Sequence, residues 1–442
     1  MNLYLAALLA YATFLAANIG AGSTVGATGL GYRFGLSAWW WVGSAGIGSL
    51  VLSQFIGPRI WSIAQRHRLS TLGDYLELRY NKSVKAVVAA LFWLGALAIL
   101  AGQLIAISWI LTVVIDLPKW AGCSIGGAVA ILYCTAGGLT GSAIVNRFEL
   151  AVTLSGLFLA VPFSLHALGG WSHLHVLIAQ QNLAAVPARF SLFGAGAHQI
   201  LVWIAILVPS FIVSPGLIQK LYGARSAGTV RLGVGFNALG QFLFAFVPPI
   251  LGLCALAAFP HLANPELALP SAMKLLLPRW LGVLTLASIF SAELSATDAI
   301  LFMLSSSLTV DLYQTFLNPK AEGPRLLNVG RVLVAVTGVA GIFLAIALPS
   351  IIAAVSLFYG LIAVVLFVPV LAGLYTRRAL APAALSSIVI ALAVTLTVNA
   401  LTHGRGLALL SPQAIGILSA ALVFLAFSVF TRTHADATPP TA

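Results

Sequence analysis

The sequence predicts an all-α polytopic membrane protein of about twelve transmembrane helices. Three observations carry this. Of 442 residues, 60% are hydrophobic and only 7% charged, too little charge for a water-soluble domain of that length. Mean hydropathy is +1.05, and the apolar residues fall in long runs rather than alternating, which selects helices over a barrel. Finally, the 22 Lys and Arg are spread unevenly about those runs.

Runs of roughly 20 apolar residues place spans at about 2–32, 36–63, 83–115, 120–137, 143–168, 197–222, 227–257, 279–306, 325–348, 350–376, 382–401 and 413–431. The N-terminal MNLYLAALLAYATFL has no basic segment, so it reads as a retained helix and not a cleaved signal. With the N-terminus in the cytoplasm, Arg33, Lys119, Arg189, Lys274, Arg279 and Arg405 fall outside. The remaining Lys and Arg fall at inward ends and loops. That asymmetry predicts a multi-pass protein of the plasma (inner) membrane with both termini cytoplasmic. A net charge of +12 distributed in this way does not indicate a nucleic-acid partner.

Two spans look broken. The first contains ANIGAGSTVGATGLG, and the sixth contains VPSFIVSPG. Gly and Pro free backbone groups from the helical ladder, and in lipid those groups need a ligand, water or neighbouring protein. Breaks at matching positions in two five-helix blocks are what an inverted-repeat secondary transporter shows, although small residues also serve simple helix packing. The organisation expected is a ten-helix core over roughly 1–378, with repeats at about 1–168 and 197–378. Two further helices would fill about 379–432, and a short disordered tail about 433–442.

Other chemistries find little support. Cys123, Cys134 and Cys254 are scattered in apolar stretches, form no CxxC, and read as small core residues. His173 and His175 lie in a predicted exterior loop. AGGLTG lacks the Lys of a phosphate loop, and no HExxH or GxSxG occurs, so an enzyme is not expected.

Five stretches in order resemble the sodium/solute symporter family. They are AANIGAGSTVGATGLGYRFGLSAWWW, RLSTLGDYLELRYN, CTAGGLTGSAIVNRFEL, SPGLIQKLYGARS, and ALPSAMKLLLPRWLGVLTLASIFSAELSATDAILFMLSSSLTVDLY. The resemblance implies a leucine-transporter-type fold and uptake of a small organic solute, an amino acid, carboxylate or similar, coupled to Na+. It also implies that the first span here is the first core helix, without the extra preceding helix of most members. By the same resemblance, sodium is held by carbonyls at Ala16, Ile19 and Ala292 and by the hydroxyl of Ser295. Ala296 stands where the family has a second hydroxyl, so one ligand is missing unless Thr297 substitutes. The substrate cavity is expected at the first break, with Asn18, Ser23, Gln103, Trp203, Ser210 and Tyr359 as candidates. Arg147 and Glu149 would form an inner-gate ion pair or interfacial anchors.

SIFSAELSATDAILF then raises a question of its own, because it carries Glu293 and Asp298 in an apolar helix. A charged residue at mid-membrane costs roughly 3 kcal/mol and must face protein, water or a cation. Ala292, Ser295, Ala296 and Ala299 form one stripe, which Glu293 flanks on the Ala296 side and Asp298 on the Ser295 side. Asp298 matches the family's aspartate. Glu293 has no counterpart in the motif. It supplies negative charge near the cation, carries a coupling proton (H+) in place of sodium coupling, pairs with a neighbouring helix, sits neutral in packing, or contacts substrate. The other class of reading is a transport-inactive membrane sensor or regulator that kept the fold.

Overall fold

The computed structural model describes residues 19–137, 142–181, 186–309, 313, 318, 324–376 and 380–430. The described residues are helical throughout, apart from turns and one isolated bridge between Leu407 and Leu410.

Beyond the first break come α1 (Val25–Phe34) and α2 (Trp39–Val51), then a π-helical turn (Leu52–Ile56) that runs into α3 (Gly57–His67). α4 (Leu72–Arg79) lies in a connection, followed by the long α5 (Lys82–Ile115), α6 (Lys119–Gly137) and α7 (Ser142–Ala167). α8 (Trp171–Gln180) turns away from residues 151–167 by 66°, and α9 (Val186–Arg189) follows. The second half holds α10 (Ala197–Ile212), α11 (Pro215–Tyr222), α12 (Ala227–Phe244), α13 (Val247–Ala258), α14 (Ala268–Leu275), α15 (Arg279–Ser307), α16 (Pro324–Ala347) and α17 (Ile351–Tyr375). α18 (Ala381–Leu401) and α19 (Pro412–Phe430) pack on each other and on α17.

Among the described residues, seven helices are long and apolar enough to cross a membrane, or eight if the bent pair is one span. The count of twelve therefore stays an expectation, although helices stand at the second to twelfth predicted positions. Three of the connections between the predicted spans contain short helices, α4, α8 and α14. The predicted span 227–257 is interrupted at Ala245–Phe246, just before Pro248 and Pro249, which cannot donate to the preceding turn.

The sixth-span break lies where it was expected. α10 ends at Ile212, and Pro215 opens α11 with the Ser214 hydroxyl accepting from Leu217 N–H. Ahead of α1, Ile19 to Thr24 are non-helical turn, at the place expected for the first break; the residues before Ile19 lie outside the described ones.

α4 shows how a short helix survives outside the bundle. Thr71 and Asp74 form a reciprocal capping box, and Asp74 also meets Lys85, at 3.0 Å, which in turn holds Glu77 at 2.8 Å. Burial raises the Asp74 pKa. The Lys85 bond and the N–H groups of Ser70 and Thr71 more than offset it, holding the carboxyl below its usual range. A carboxyl lowered on folding stabilises above its unfolded value, about 3.9, and that contribution disappears as pH falls through the folded value. Asp74→Asn is therefore expected to melt below the parent at pH 7, with the gap closing below about pH 4. Thermal unfolding of both proteins from pH 3 to pH 7 reads this directly. Because Asp74 is partly exposed, screening keeps the gap small.

Candidate functional site

The first break is built from backbone that its own helix does not satisfy. Gly20 N–H donates to the Ser23 hydroxyl and Gly20 O accepts from Ser23 N–H, a tight turn ahead of α1. Ala21 N–H donates to Gln103 Oε1 on α5 at 3.0 Å, and a Cβ on Gly20 would stand 2.9 Å from Gln103 Nε2. Only glycine lets this amide approach so closely. Gly22 O accepts from the Trp41 indole of α2 at 2.9 Å. The turn's own Ser23 and two neighbouring helices, α5 and α2, thus satisfy groups that the break exposes, as lipid demands.

α15 meets the same break. Thr24 Oγ1 lies 3.0 Å from Gly20 O and 3.0 Å from Glu293 Oε1. Glu293 is 1% exposed, and its Oε2 has no hydrogen-bond partner among the described residues. Thr297 donates to the Glu293 carbonyl at 2.7 Å. Ile289, Glu293 and Thr297 form the most buried stripe of α15 here, with Ala292 and Ala296 half-buried on its flank and Ser295 half-buried on the opposite side of the helix. Asp298 is half-buried within reach of the Cys134 thiol.

Beside the break lies a cavity of about 60 Å³, lined by residues 19, 20, 22 and 23 and by α2, α5, α10, α12 and α17. Its walls combine the aromatic rings of Trp41, Phe211, Phe244 and Tyr359 with the amides of Gln103 and Gln241. No charged side chain lines it among the described residues. Gln241 is 3% exposed and donates to the Ser49 hydroxyl at 3.2 Å, while its Oε1 has no partner among the described residues. An unpaired buried acceptor on a cavity wall is costly unless a ligand or water donates to it.

Comparison with known proteins decides the family. The profile of the sodium:solute symporter family matches residues 5–391. The chain belongs to that family. The sodium/glucose cotransporter of Vibrio parahaemolyticus is 23% identical over 72% of this chain, which spans 63% of that protein. The sodium/pantothenate symporter of Escherichia coli (strain K12) is 26% identical, over 86% of this chain and 79% of its own length. A solved outward-open structure of a Na+-coupled sialic acid symporter superposes with TM-score 0.72 at 17% identity, covering 98% of this chain and 91% of that one. That likeness supports the leucine-transporter-type fold implied by the motifs, and the relatives are transporters rather than enzymes.

Not every candidate of this symporter-family chain falls in one place. Ile19, Ser23, Gln103 and Tyr359 meet at the cavity, and Glu293 reaches the break beside it, whereas the Thr297 hydroxyl bonds the Glu293 carbonyl within its own helix. Ser210 does not line the cavity. Its hydroxyl is spent on Ile206 O and on Tyr359 O, at 2.6 Å for the latter. Trp203 lies elsewhere on α10, edge-on to Phe34 at 5.6 Å. Ala16 and Asn18 lie outside the described residues, as do the side chains of Arg147 and Glu149. The sequence reading missed Trp41 and Gln241. The available signal was a hydrogen-bonding side chain in an apolar span, which must find protein or ligand.

Proposed function

We propose that this protein is a sodium-coupled symporter that carries a small organic solute by alternating access. The observation that carries the reading is the broken first span, held open by Gln103 and Trp41 and met on its far side by the buried carboxylate of Glu293. Sodium is a hard cation that takes oxygen ligands, and unwound backbone offers carbonyls without charge. In this reading, Ile19 and Ala292 offer carbonyls, Ser295 a hydroxyl, and Glu293 the charge that offsets the missing hydroxyl at Ala296. Ala16, Asn18, Asp298 and the Arg147–Glu149 pair keep the roles that the family motif suggests.

The solute sits in the cavity beside the break. Gln241 Oε1 offers it an acceptor and the aromatic rings offer apolar walls, which favours a neutral or zwitterionic solute bearing an N–H or O–H donor. The core spans about 1–378, in a plasma membrane with both termini cytoplasmic. Sodium binding favours the outward-open state and solute entry. The helices then rock, and both leave inward.

One observation favours proton coupling as a second reading. The Thr24 hydroxyl has one proton and two acceptors in reach, Gly20 O and Glu293 Oε1. A protonated Glu293 would donate to Thr24 and free that proton for Gly20, satisfying all three groups.

Thermal unfolding of the purified protein in sodium and in choline, over a panel of amino acids, carboxylates and vitamins, tests both. A ligand of the folded state raises the midpoint, by about 2.7 kcal/mol at a hundredfold excess over Kd. The expected result is a rise with sodium that grows with one solute. A midpoint that follows pH and ignores sodium moves the reading to proton coupling. No shift with either cation or any solute overturns transport and favours the sensor.

A further inference from the structure

Outside the site, one buried carboxylate among the described residues is unused by this mechanism. Glu266 belongs to the 3₁₀ turn Pro265–Leu267, is 4% exposed, and is fixed from behind by Asn264 Oδ1, which accepts its N–H at 2.9 Å. Its Oε2 accepts from the Trp109 indole of α5 at 2.9 Å and from Ile351 N–H at 3.1 Å, and its Oε1 accepts from Ile352 N–H at 3.3 Å. With Ser350 capping Ala353 N–H, the first three N–H groups of α17 are all satisfied. The carboxylate sits at the positive end of the α17 dipole. Burial raises its pKa and the three donated bonds oppose that rise.

Its placement gives these bonds a further meaning. Glu266 lies against α1, where a Cβ on Gly29 would stand 3.2 Å from its Cα, Cγ and N. α5 and α17 pack through small residues, with Gly102 against Val355, and Val355 in turn walls the cavity. At the opposite end of α17, Arg79 of α4 donates to Gly373 O at 2.7 Å and also to Thr376 O. A cavity-lining helix is thus pinned at its N-terminus by an anion and at its C-terminus by a cation, each from a separate connecting segment.

We propose that Glu266 is a positioning residue for the transport cycle, a latch that ties α5 and α17 to the 264–267 segment against α1 and keeps the cavity shut on that face. Opening on that face requires its three bonds to break together. The proposal rests on the alternating-access reading, and its test separates the two.

Ala45 lines the cavity without touching the latch, so Ala45→Cys, with Cys123, Cys134 and Cys254 replaced by Ser, reports access. The full-length protein is labelled with a membrane-impermeant thiol reagent in vesicles of both orientations, with and without sodium. Glu266→Gln places an amide N–H₂ against N–H donors. Trp109→Phe removes one donor and keeps an aromatic ring at the position, should the first variant fold poorly. The expected result is labelling about tenfold faster from the Glu266 face and slower from the opposite face, with Trp109→Phe intermediate. Labelling equal to the parent, or faster from both faces, overturns the latch. A sodium response in the parent with no change in the variants removes the latch and leaves symport standing. A reciprocal shift in the variants without any sodium response in the parent keeps the latch and removes sodium coupling.

Discussion

Glu293→Gln is expected to lower sodium-dependent uptake at least tenfold at low sodium and to raise the sodium concentration needed for half-maximal uptake. The carboxylate is buried, its Oε1 bonds Thr24 at the first break, and its Oε2 has no partner among the described residues. A hydrogen bond or ligand contact to a charged group contributes about 1.5–3 kcal/mol, roughly a ten- to hundredfold change in binding. The effect on folding should run the other way. An uncompensated buried carboxylate is costly, so the neutral amide should leave the sodium-free melting midpoint equal or higher. The parent should then gain more from sodium than the variant does. Ala296→Ser in the Glu293→Gln background supplies the hydroxyl expected from the motif and should recover part of the sodium response. Transport assays in proteoliposomes against sodium concentration, paired with unfolding curves, read both effects. If Glu293→Gln keeps the parent sodium dependence but loses its pH dependence, the residue serves protons instead. If it changes neither, Glu293 is a packing residue.

The sequence announced this carboxylate because an acid in SIFSAELSATDAILF has few neutral explanations. The breaks were equally legible, through the glycines at 20 and 22 and through Pro215. Helix ends and kinks were harder. Pro248 and Pro249 were in plain view, but an unbroken apolar run masked the turn they impose at Ala245–Phe246. α4 was also spelled out, as Thr71 followed three residues later by Asp74, yet a short helix with few apolar residues gives a weak periodic signal. The cavity was less readable, because its walls come from five helices far apart in sequence. Ser210 is consumed by a backbone carbonyl of α17, whereas Gln241 has an oxygen with no partner among the described residues. Periodicity assigns a residue to a face, and only packing says what that face meets. Glu266 was hidden for the opposite reason, since an acid in a connecting loop usually means no more than solvent.

Gly252→Ala is expected to destabilise the protein more than any other single methyl addition at the α1–α13 crossing. A Cβ at Gly252 would stand 2.5 Å from Thr28 O and 2.5 Å from Tyr32 N, and one at Gly31 would stand 2.6 Å from Pro249 Cα. All of these are backbone atoms, so no side chain can swing aside, and the helices themselves must part. Overpacking that a core can absorb costs about 1–3 kcal/mol, and a rigid backbone contact should reach the upper end of that range or beyond. Gly216→Ala supplies the contrast. It adds the same methyl in α11, where nothing lies within 4 Å, and it replaces a helical glycine. That change should be neutral or stabilising by about 0.5–1 kcal/mol. Comparing the two melting midpoints in one detergent cancels the common methyl and leaves the crossing. Parting α1 from α13 should also loosen the α1 surface on which Glu266 rests, so Gly252→Ala should speed labelling of the Ala45→Cys protein from the Glu266 face. Equal midpoints for the two alanine variants would mean that the helices do not cross at backbone contact, and the support of Glu266 against α1 would fall with it.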